Sequence, residues 1–204
     1  MAIFPSSSRR AFLLSGAAVV GAVAFLARRP RVLAAGETAP AAGAPGRVSI
    51  ERFTDDGKSL GVVEMEKVVK SEEEWRKVLA GAPDPQLAFA VTRQEGTERA
   101  FTGPNWDNHS PGLYRCICCG SALYTNDTKF DSGTGWPSFW QSIAPGNVVE
   151  SRDRTFGMVR TAVSCARCDA HLGHVFHDGP HPTGLRYCMN SAALRFAPAP
   201  GAAA

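Results

Sequence analysis

Four of the six cysteines in this chain form two Cys-x-x-Cys pairs, a spacing that suits metal binding. Cys116 and Cys119 form the first pair, and Cys165 and Cys168 form the second. Four thiolates suit a tetrahedral zinc ion, and four sulfur ligands leave no open position for a reacting water. We therefore expect one structural zinc ion that ties two distant parts of a domain together. Two disulfide bonds are the alternative use of these thiols.

Cys188 lies in a different chemical setting. The run 185–196 has a strand-like sequence, and a period of two places Arg186, Cys188 and Asn190 on one face. A cation near a thiol favours the thiolate, which is the reactive form. This pattern predicts a nucleophilic cysteine, although a cysteine without such neighbours is more often a small buried core residue.

A second strand would bring a histidine to this thiol. The run 172–177 also has a strand-like sequence. Antiparallel pairing of His177 with Leu185 puts His174 opposite Cys188, with Cβ atoms about 5 Å apart. A nearby histidine also favours the thiolate, but a slip of one residue in the register would break the arrangement. A Cys-His-Asn hydrolase is the rival interpretation, and no local protease signature accompanies it.

The Gly-rich loop 130–140 concentrates large aromatic side chains. We expect Phe139 and Trp140 to lie in the core, and Trp136, between a glycine and a proline, to form a pocket wall. An aromatic wall suits a substrate that carries an S-methyl group.

The elements that must hold these residues are short. Strand-like runs at 48–53 and 60–65 predict a β-hairpin. A capping-box pattern at 71–74 predicts one helix, and a cap with a first-turn proline at 84–85 predicts a second helix that ends near Gln94. The rest of the chain is punctuated by Gly, Pro, Asn and Asp, which favours short antiparallel strands and long loops.

The amino-terminal segment resembles a twin-arginine export signal. The run 8–13, Ser-Arg-Arg-Ala-Phe-Leu, leads into an apolar stretch that ends near Ala27. A membrane anchor is the alternative interpretation of residues 1–35, because an anchor needs a similar apolar length. Residues 36–46 are rich in Ala, Pro and Gly and predict a flexible linker. We therefore expect the protein to act in the periplasm or otherwise outside the cytosol.

The charge distribution argues against a nucleic-acid surface. The chain has 204 residues, and its formal net charge is +3. Five arginines and one glutamate give residues 1–46 a charge of +4, which leaves −1 for residues 47–204. Because 44% of the residues are hydrophobic, the composition also excludes intrinsic disorder.

Together these segments closely resemble the B-type methionine sulfoxide reductases, which reduce methionine-R-sulfoxide. The likeness runs from about Trp75 to Phe196 and includes, after the first cysteine pair, S-G-T-G-W-P-S-F at 132–139, H-L-G-H-V-F at 171–176 and R-Y-C-M-N-S-A-A-L at 186–194. It implies a mainly β fold of two small antiparallel sheets, described as β-tent-like, with short amino-terminal helices and a structural zinc opposite the active site. The implied boundaries are a hairpin extension at 47–70 within a reductase domain at 47–197, followed by a disordered tail at 198–204.

The same resemblance implies an enzyme and its site residues. Cys188 would attack the sulfoxide sulfur and become a sulfenic acid, while protonated His174 donates to the oxygen. The substrate would be methionine sulfoxide, free or in oxidised proteins, and a thioredoxin-like or other thiol reductant would regenerate the cysteine. The other members of the implied site are a polar network of His171, Asp178, Arg186 and Asn190, with Trp136 and Phe176 lining the pocket.

One departure from the family pattern concerns regeneration. Many relatives carry a resolving cysteine at the position of Thr134. The leftover thiol here is Cys118, between zinc ligands, and we expect it not to be essential for the first turnover. Reduction by an external thiol is therefore expected, with rearrangement near the zinc as the alternative. A zinc-stapled interaction module without catalysis, in which Cys188 is merely packed, is the rival from a different functional class.

Overall fold

The computed structural model of the protein describes residues 46–153 and 159–201. The predicted export signal or anchor at 1–35 lies outside these residues, as does the predicted linker apart from Gly46. Within the described part of the chain, neither α-helix is long and apolar enough to cross a membrane.

The described residues form two short α-helices and a larger number of short strands. The last strand ends at Pro198, one residue beyond the predicted domain boundary at 197, and residues 202–204 of the predicted tail lie outside the described chain. The elements, in chain order, are β1 (Arg47–Phe53), β2 (Ser59–Glu66), α1 (Glu72–Leu79), α2 (Pro85–Gln94), β3 (Gly112–Cys116), β4 (Ala122–Thr125), β5 (Lys129–Phe130), β6 (Ser138–Phe139), β7 (Val148–Asp153), β8 (Arg160–Cys165), β9 (His171–Phe176), β10 (Arg186–Met189) and β11 (Leu194–Pro198).

Antiparallel pairing organises these strands into three sheets within the described ranges. β1 and β2 form the hairpin, and β11, β3 and β4 form a three-stranded sheet. The largest sheet has the order β5-β6-β10-β9-β8-β7, which places β10 and β9 at its centre. The prediction of a mainly β protein with two small antiparallel sheets, an amino-terminal hairpin and short helices is confirmed.

Both helices begin at the caps that the sequence predicts. The Ser71 hydroxyl accepts a hydrogen bond from the Glu74 N–H, and the Glu74 carboxylate accepts one in return from the Ser71 N–H at 2.8 Å. Asp84 accepts from the Leu87 N–H at 2.9 Å, and Pro85 is the first residue of α2. Because these interactions are local, the sequence was sufficient to locate the helix starts.

The core contains stacked aromatic rings between the sheets. The rings of Tyr124 and Phe139 are stacked with centres 4.4 Å apart, and Tyr114 packs edge-on against Phe139 at 5.0 Å. Phe139 is fully buried as predicted, whereas Trp140 is only partly buried. Trp140 is one residue past the end of β6, so it does not share the inward face of Phe139.

The prediction of one continuous strand over 185–196 is wrong, because the chain leaves the sheet after Met189. A 3₁₀ turn at Ser191–Ala193 follows, and β11 then joins the three-stranded sheet. The carboxylate of Glu98 stabilises the break, because it accepts hydrogen bonds from the first two N–H groups of the turn at 2.6 and 2.8 Å. Those N–H groups therefore do not continue the strand ladder.

The amino-terminal hairpin packs against the segment that carries the second cysteine pair. The fully buried side-chain amide of Asn147 pairs with the N–H and carbonyl of Glu51 in β1, at 2.9 and 2.8 Å. The Asn147 carbonyl accepts from the N–H of Ala166, which lies between the two cysteines, at 3.1 Å. Just after β2, the Val68 N–H donates to the Arg167 carbonyl at 2.8 Å. The hairpin therefore braces this cysteine pair.

Candidate active site and metal site

The four cysteines of the two pairs come together as predicted. Their sulfur atoms all lie within 4.8 Å of one another. The Sγ atoms of Cys116 and Cys168 are 3.6 Å apart, as are those of Cys119 and Cys165. Sulfur ligands about 2.3 Å from a tetrahedral zinc lie about 3.8 Å apart, whereas a disulfide bond is about 2.05 Å long. The donor set therefore fits a structural zinc site and does not fit two disulfides.

Cys188 lies in a row of directly paired residues that crosses the largest sheet. It pairs with Ser138 of β6 on one side and with His174 of β9 on the other. His174 pairs in turn with Ala162 of β8. The register predicted from the sequence, with His174 opposite Cys188, is confirmed. Directly paired side chains point to the same face of a sheet, so the imidazole and the thiol share one surface.

Hydroxyl groups surround the Cys188 sulfur. Thr134 Oγ1 lies 3.9 Å from Cys188 Sγ. The Thr134 hydroxyl is hydrogen-bonded to that of Ser132 at 2.8 Å, and Ser132 is hydrogen-bonded to the buried hydroxyl of Ser138 at 2.7 Å. The loop bends at Gly135, whose φ of 82° is a conformation that favours glycine. This bend brings the Thr134 hydroxyl to the thiol.

Opposing effects act on the pKa of the Cys188 thiol. Burial raises its pKa above the ordinary value, while the Thr134 hydroxyl, the Arg186 guanidinium and the Ser138 hydroxyl lower it. Arg186 favours the thiolate as predicted, but burial outweighs it. The net effect raises the pKa of Cys188 and favours the protonated thiol in the substrate-free protein. At neutral pH Cys188 is a thiol, and it must lose its proton as it attacks.

Arg186 is held by an ion pair with Asp178. Its Nε and Nη2 atoms donate to the two carboxylate oxygens at 2.9 and 2.8 Å. The guanidinium carbon lies 4.4 Å from the centre of the Phe176 ring, and Phe176 is the direct strand partner of Arg186. Hydrogen bonding to Arg186 holds the pKa of Asp178 below its usual value. These three predicted site residues therefore form one charged and aromatic group, with Arg186 and Phe176 on the strands that carry Cys188 and His174 and Asp178 in the loop after β9.

His174 contacts an acid that the sequence analysis did not single out. Its Nε2 atom lies 2.9 Å from Asp153 Oδ2, and both side chains are 12% exposed. Arg160 Nη2 donates to the same oxygen at 2.8 Å. Asp153 and Arg160 are direct partners at the ends of β7 and β8. The carboxylate therefore fixes the orientation of the imidazole.

His171 reaches the face of His174 because of a β-bulge. Between β8 and β9, Val163 pairs with Gly173 but the next residue, Ser164, pairs with His171, so one residue of β9 is extra. The two imidazole rings are 5.3 Å apart as a result. His171 is 5% exposed, and burial together with the nearby His174 lowers its pKa to about 4. His171 is therefore neutral at neutral pH.

Asn190 and Trp136 are both anchored to Glu98. Asn190 lies just past β10, where its Nδ2 donates to the Leu172 carbonyl and its Oδ1 accepts from the Glu98 N–H, both at 3.0 Å. Trp136 is partly buried, and its indole Nε1 donates to the Glu98 carbonyl at 3.2 Å. The structure thus joins two predicted site residues through a third that sequence reasoning missed.

The missed residues, Glu98, Asp153 and Ser138, share one property. Each enters the site through strand pairing or hydrogen bonds over long sequence separations, and none forms a local pattern with Cys188. Ser138 was identifiable in principle, because it belongs to the motif that contains Trp136. Glu98 and Asp153 gave no signal beyond their charge.

Comparison with known proteins is consistent with this site. The SelR domain model matches residues 85–198. The peptide methionine sulfoxide reductase MsrB of Herminiimonas arsenicoxydans is 54% identical over 131 residues, which cover 64% of this chain and 92% of that protein. The chain belongs to the SelR family. The MsrB of Pseudomonas putida strain W619 is also 54% identical, over 138 residues that cover 68% of this chain and 100% of that protein.

The SelR match contains both cysteine pairs and every residue of the candidate site. It begins at Pro85, the first residue of α2, so the hairpin of β1 and β2 lies before it. The hairpin lies outside the matched residues, and the side chains of Asn147 and Arg115 donate hydrogen bonds to carbonyl groups of its first strand.

Proposed function

We propose that this SelR protein reduces methionine-R-sulfoxide to methionine, in the free amino acid or in oxidised proteins. The observation that carries the proposal is the direct pairing of Cys188 with His174, with Arg186 on the same face of β10. A nucleophile and a proton donor then face the sulfur and the oxygen of one sulfoxide. The names of the similar MsrB proteins support this assignment.

The reaction begins when the Cys188 sulfur attacks the sulfoxide sulfur. His174 donates a proton to the oxygen, and the proton of the Cys188 thiol replaces it on the imidazole, so no net proton is consumed. The sulfur–sulfur bond formed by the attack and the sulfur–oxygen bond of the substrate then break as the hydroxyl passes to the Cys188 sulfur, which becomes a sulfenic acid, and methionine leaves. The cysteine loses two electrons, and the sulfoxide gains them.

The surrounding residues orient the proton donor, stabilise the thiolate and bind the substrate. Asp153 orients His174, and Arg186, held by Asp178, stabilises the developing thiolate. Trp136 and Phe176 supply aromatic surface for the S-methyl group. The zinc, held by the two cysteine pairs, supplies folding stability when bound and takes no part in the chemistry.

An external thiol regenerates the enzyme under this proposal. Thr134 cannot form a disulfide, and Cys118, which is 7% exposed, lies among the zinc ligands. A thioredoxin-like protein or a small thiol therefore attacks the sulfenic acid and releases water. A second thiol then breaks the mixed disulfide and frees Cys188.

Placing a thiol at position 134 should let the protein resolve the sulfenic acid of Cys188 internally, by forming a disulfide. Because the Thr134 oxygen lies 3.9 Å from the Cys188 sulfur, Thr134→Cys should condense with the sulfenic acid after one turnover. Intact mass spectrometry should then show the loss of two hydrogen atoms, with a disulfide between positions 134 and 188. The control variant Thr54→Cys, in the hairpin turn, should keep its thiol; no disulfide in Thr134→Cys would contradict the geometry.

We also propose that residues 1–35 direct export by the twin-arginine route and serve as a cleaved signal or an anchor. The paired arginines before an apolar run support this assignment. Since that route carries folded proteins, the cysteine thiols would cross with their zinc already bound. In cell fractionation, the full chain should appear outside the cytosol, and Arg9→Lys with Arg10→Lys should retain it in the cytosol. Export of the double variant would contradict the proposal.

The function is tested with separate R and S epimers of methionine sulfoxide and dithiothreitol as the reductant. The wild-type protein should consume the R epimer, and Cys188→Ser should consume neither. Selective loss of the S epimer would overturn the proposal. Loss of neither epimer, with Cys188 slow to alkylate, would favour the non-catalytic interaction module instead.

A further inference from the structure

Glu98 uses all four of its polar groups to hold parts of the candidate active site. Its N–H donates to Asn190 Oδ1 at 3.0 Å, and its carbonyl accepts from the Trp136 indole at 3.2 Å. Its carboxylate oxygens accept from the N–H groups of Ser191 and Ala192 at 2.6 and 2.8 Å. Each partner is far from Glu98 in the sequence, so these contacts fix tertiary positions.

The strand register shows which positions they fix. Ser138 pairs with Cys188, and the Met189 N–H donates to the Pro137 carbonyl at 2.9 Å. Continuing this register by one more residue places Trp136 beside Asn190. Glu98 therefore bridges the loop before β6 and the turn after β10, which lie at the same end of the strand pair that carries the thiol.

The buried carboxylate matches its donors closely. Glu98 is 3% exposed; burial raises its pKa, while its two backbone donors lower it. A carboxylate offers only acceptors to these N–H groups, whereas a glutamine amide would set one N–H donor against another. The backbone at Gly103 packs closely against Ser191, because a Cβ added to Gly103 would lie 2.2 Å from the Ser191 Cβ. The turn at Ser191 therefore has little room to move when the side chain of Glu98 is changed.

We propose that Glu98 is a positioning residue of the reductase site, which holds Trp136 and Asn190 at the pocket beside Cys188. The inference rests on the proposed function, because it needs Trp136 to contact the substrate. A residue with a purely structural role would change stability alone. A positioning residue changes the KM for methionine-R-sulfoxide more than kcat, because it acts through the pocket wall.

The test compares Glu98→Gln with Ile50→Ala, which removes a buried side chain from the hairpin and so lowers stability away from the site. Glu98→Gln should raise KM about tenfold with kcat within about threefold, since one buried hydrogen bond is lost. Ile50→Ala should leave both constants unchanged. An unchanged KM in Glu98→Gln, with an active wild type, overturns the positioning role, whereas an inactive wild type overturns the proposed function instead.

A second comparison separates positioning through Trp136 from a general loosening of the site. In a Trp136→Phe background, which lacks the indole N–H, Glu98→Gln should raise KM by less than about threefold. An undiminished tenfold effect there overturns the proposal.

If Glu98→Gln does not fold, the milder variant Glu98→Asp is used, and the ¹⁵N-indole NMR resonance of Trp136 is measured instead. This resonance should shift in Glu98→Asp and should not shift in Ile50→Ala. An unshifted resonance is the contrary result.

Discussion

The metal site lies beside the start of β9, and Cys188 lies opposite the fourth residue of that strand; these two parts of the molecule, the metal end and the catalytic end, are built differently. At the start of the strand, the Cys165 N–H donates to the Ala170 carbonyl at 2.9 Å. Further along, His174 pairs with Cys188. At about 3.3 Å per residue, these two points are about 13 Å apart along the strand. The same strand therefore connects the metal end with the catalytic end.

The two ends differ in how their side chains are brought together. The metal end uses four ligands of one kind from two short local motifs, and a single ion satisfies them all. The catalytic end takes groups from five strands and from the loops beside them, and burial and neighbouring polar groups act on the pKa of Cys188 in opposite directions. Loss of a metal ligand should therefore affect folding, whereas changes at the catalytic end should affect reactivity.

Replacement of a zinc ligand should have the largest effect. Zinc binding to such sites contributes about 10 kcal/mol, which is comparable to the whole stability of a domain of this size. Cys165→Ser should therefore lose both zinc and the cooperative unfolding transition, measured by metal analysis and circular dichroism. Cys188→Ser is the matched control and should keep both. A folded, zinc-free Cys165→Ser protein would contradict the claim that the metal end determines folding.

The hairpin should strengthen the metal end. Asn147→Ala removes the paired hydrogen bonds to Glu51 and should lower the free energy of unfolding by about 2 to 3 kcal/mol. Because the backbone carbonyl of Asn147 accepts from Ala166 of the second cysteine pair, a less firmly held Asn147 should make transfer of zinc to a chelator faster. The control Asn126→Ala should behave like the wild type. Equal rates of zinc release in the two variants would show that the hairpin does not brace the metal site.

His171 should make stability depend on pH. Its pKa is about 4 in the folded protein and about 6.5 in the unfolded chain, so the unfolded state binds the proton first as pH falls. The stability that comes from the neutral imidazole is complete above about pH 6.5 and is lost as pH falls towards about 4, with about 2 kcal/mol already lost at pH 5. Urea unfolding of His171→Gln, at constant zinc content, should show a flatter dependence over this range. An unaltered slope would mean that another group is responsible.

Arg186 should have the smallest effect, on the reactivity of the thiol. Since Arg186 lowers the pKa of Cys188 against the dominant effect of burial, Arg186→Met should raise that pKa further. Alkylation by iodoacetamide at a fixed pH near 9 should slow by about threefold or more, because less thiolate is present. Arg195→Met, at an exposed position of β11, is the control. Faster alkylation in Arg186→Met would reverse the assigned role.

The same comparison explains what the sequence could predict. The cysteine pairs, the helix caps and the hairpin depend on local spacing, and all were located from it. The pairing of His174 with Cys188 was also predictable, because one short loop joins their strands. The end of β10 at Met189 was not, since it depends on Glu98, and the net rise in the pKa of Cys188 depends on burial that no local pattern reveals.

The central claim is that the sulfur of Cys188 takes the oxygen from the substrate. It is tested most directly by mixing the protein with methionine-R-sulfoxide in the absence of any reductant and examining the products by mass spectrometry. The account predicts one added oxygen atom, located on Cys188, for each methionine formed in the first turnover. Formation of methionine with Cys188 unmodified would contradict it.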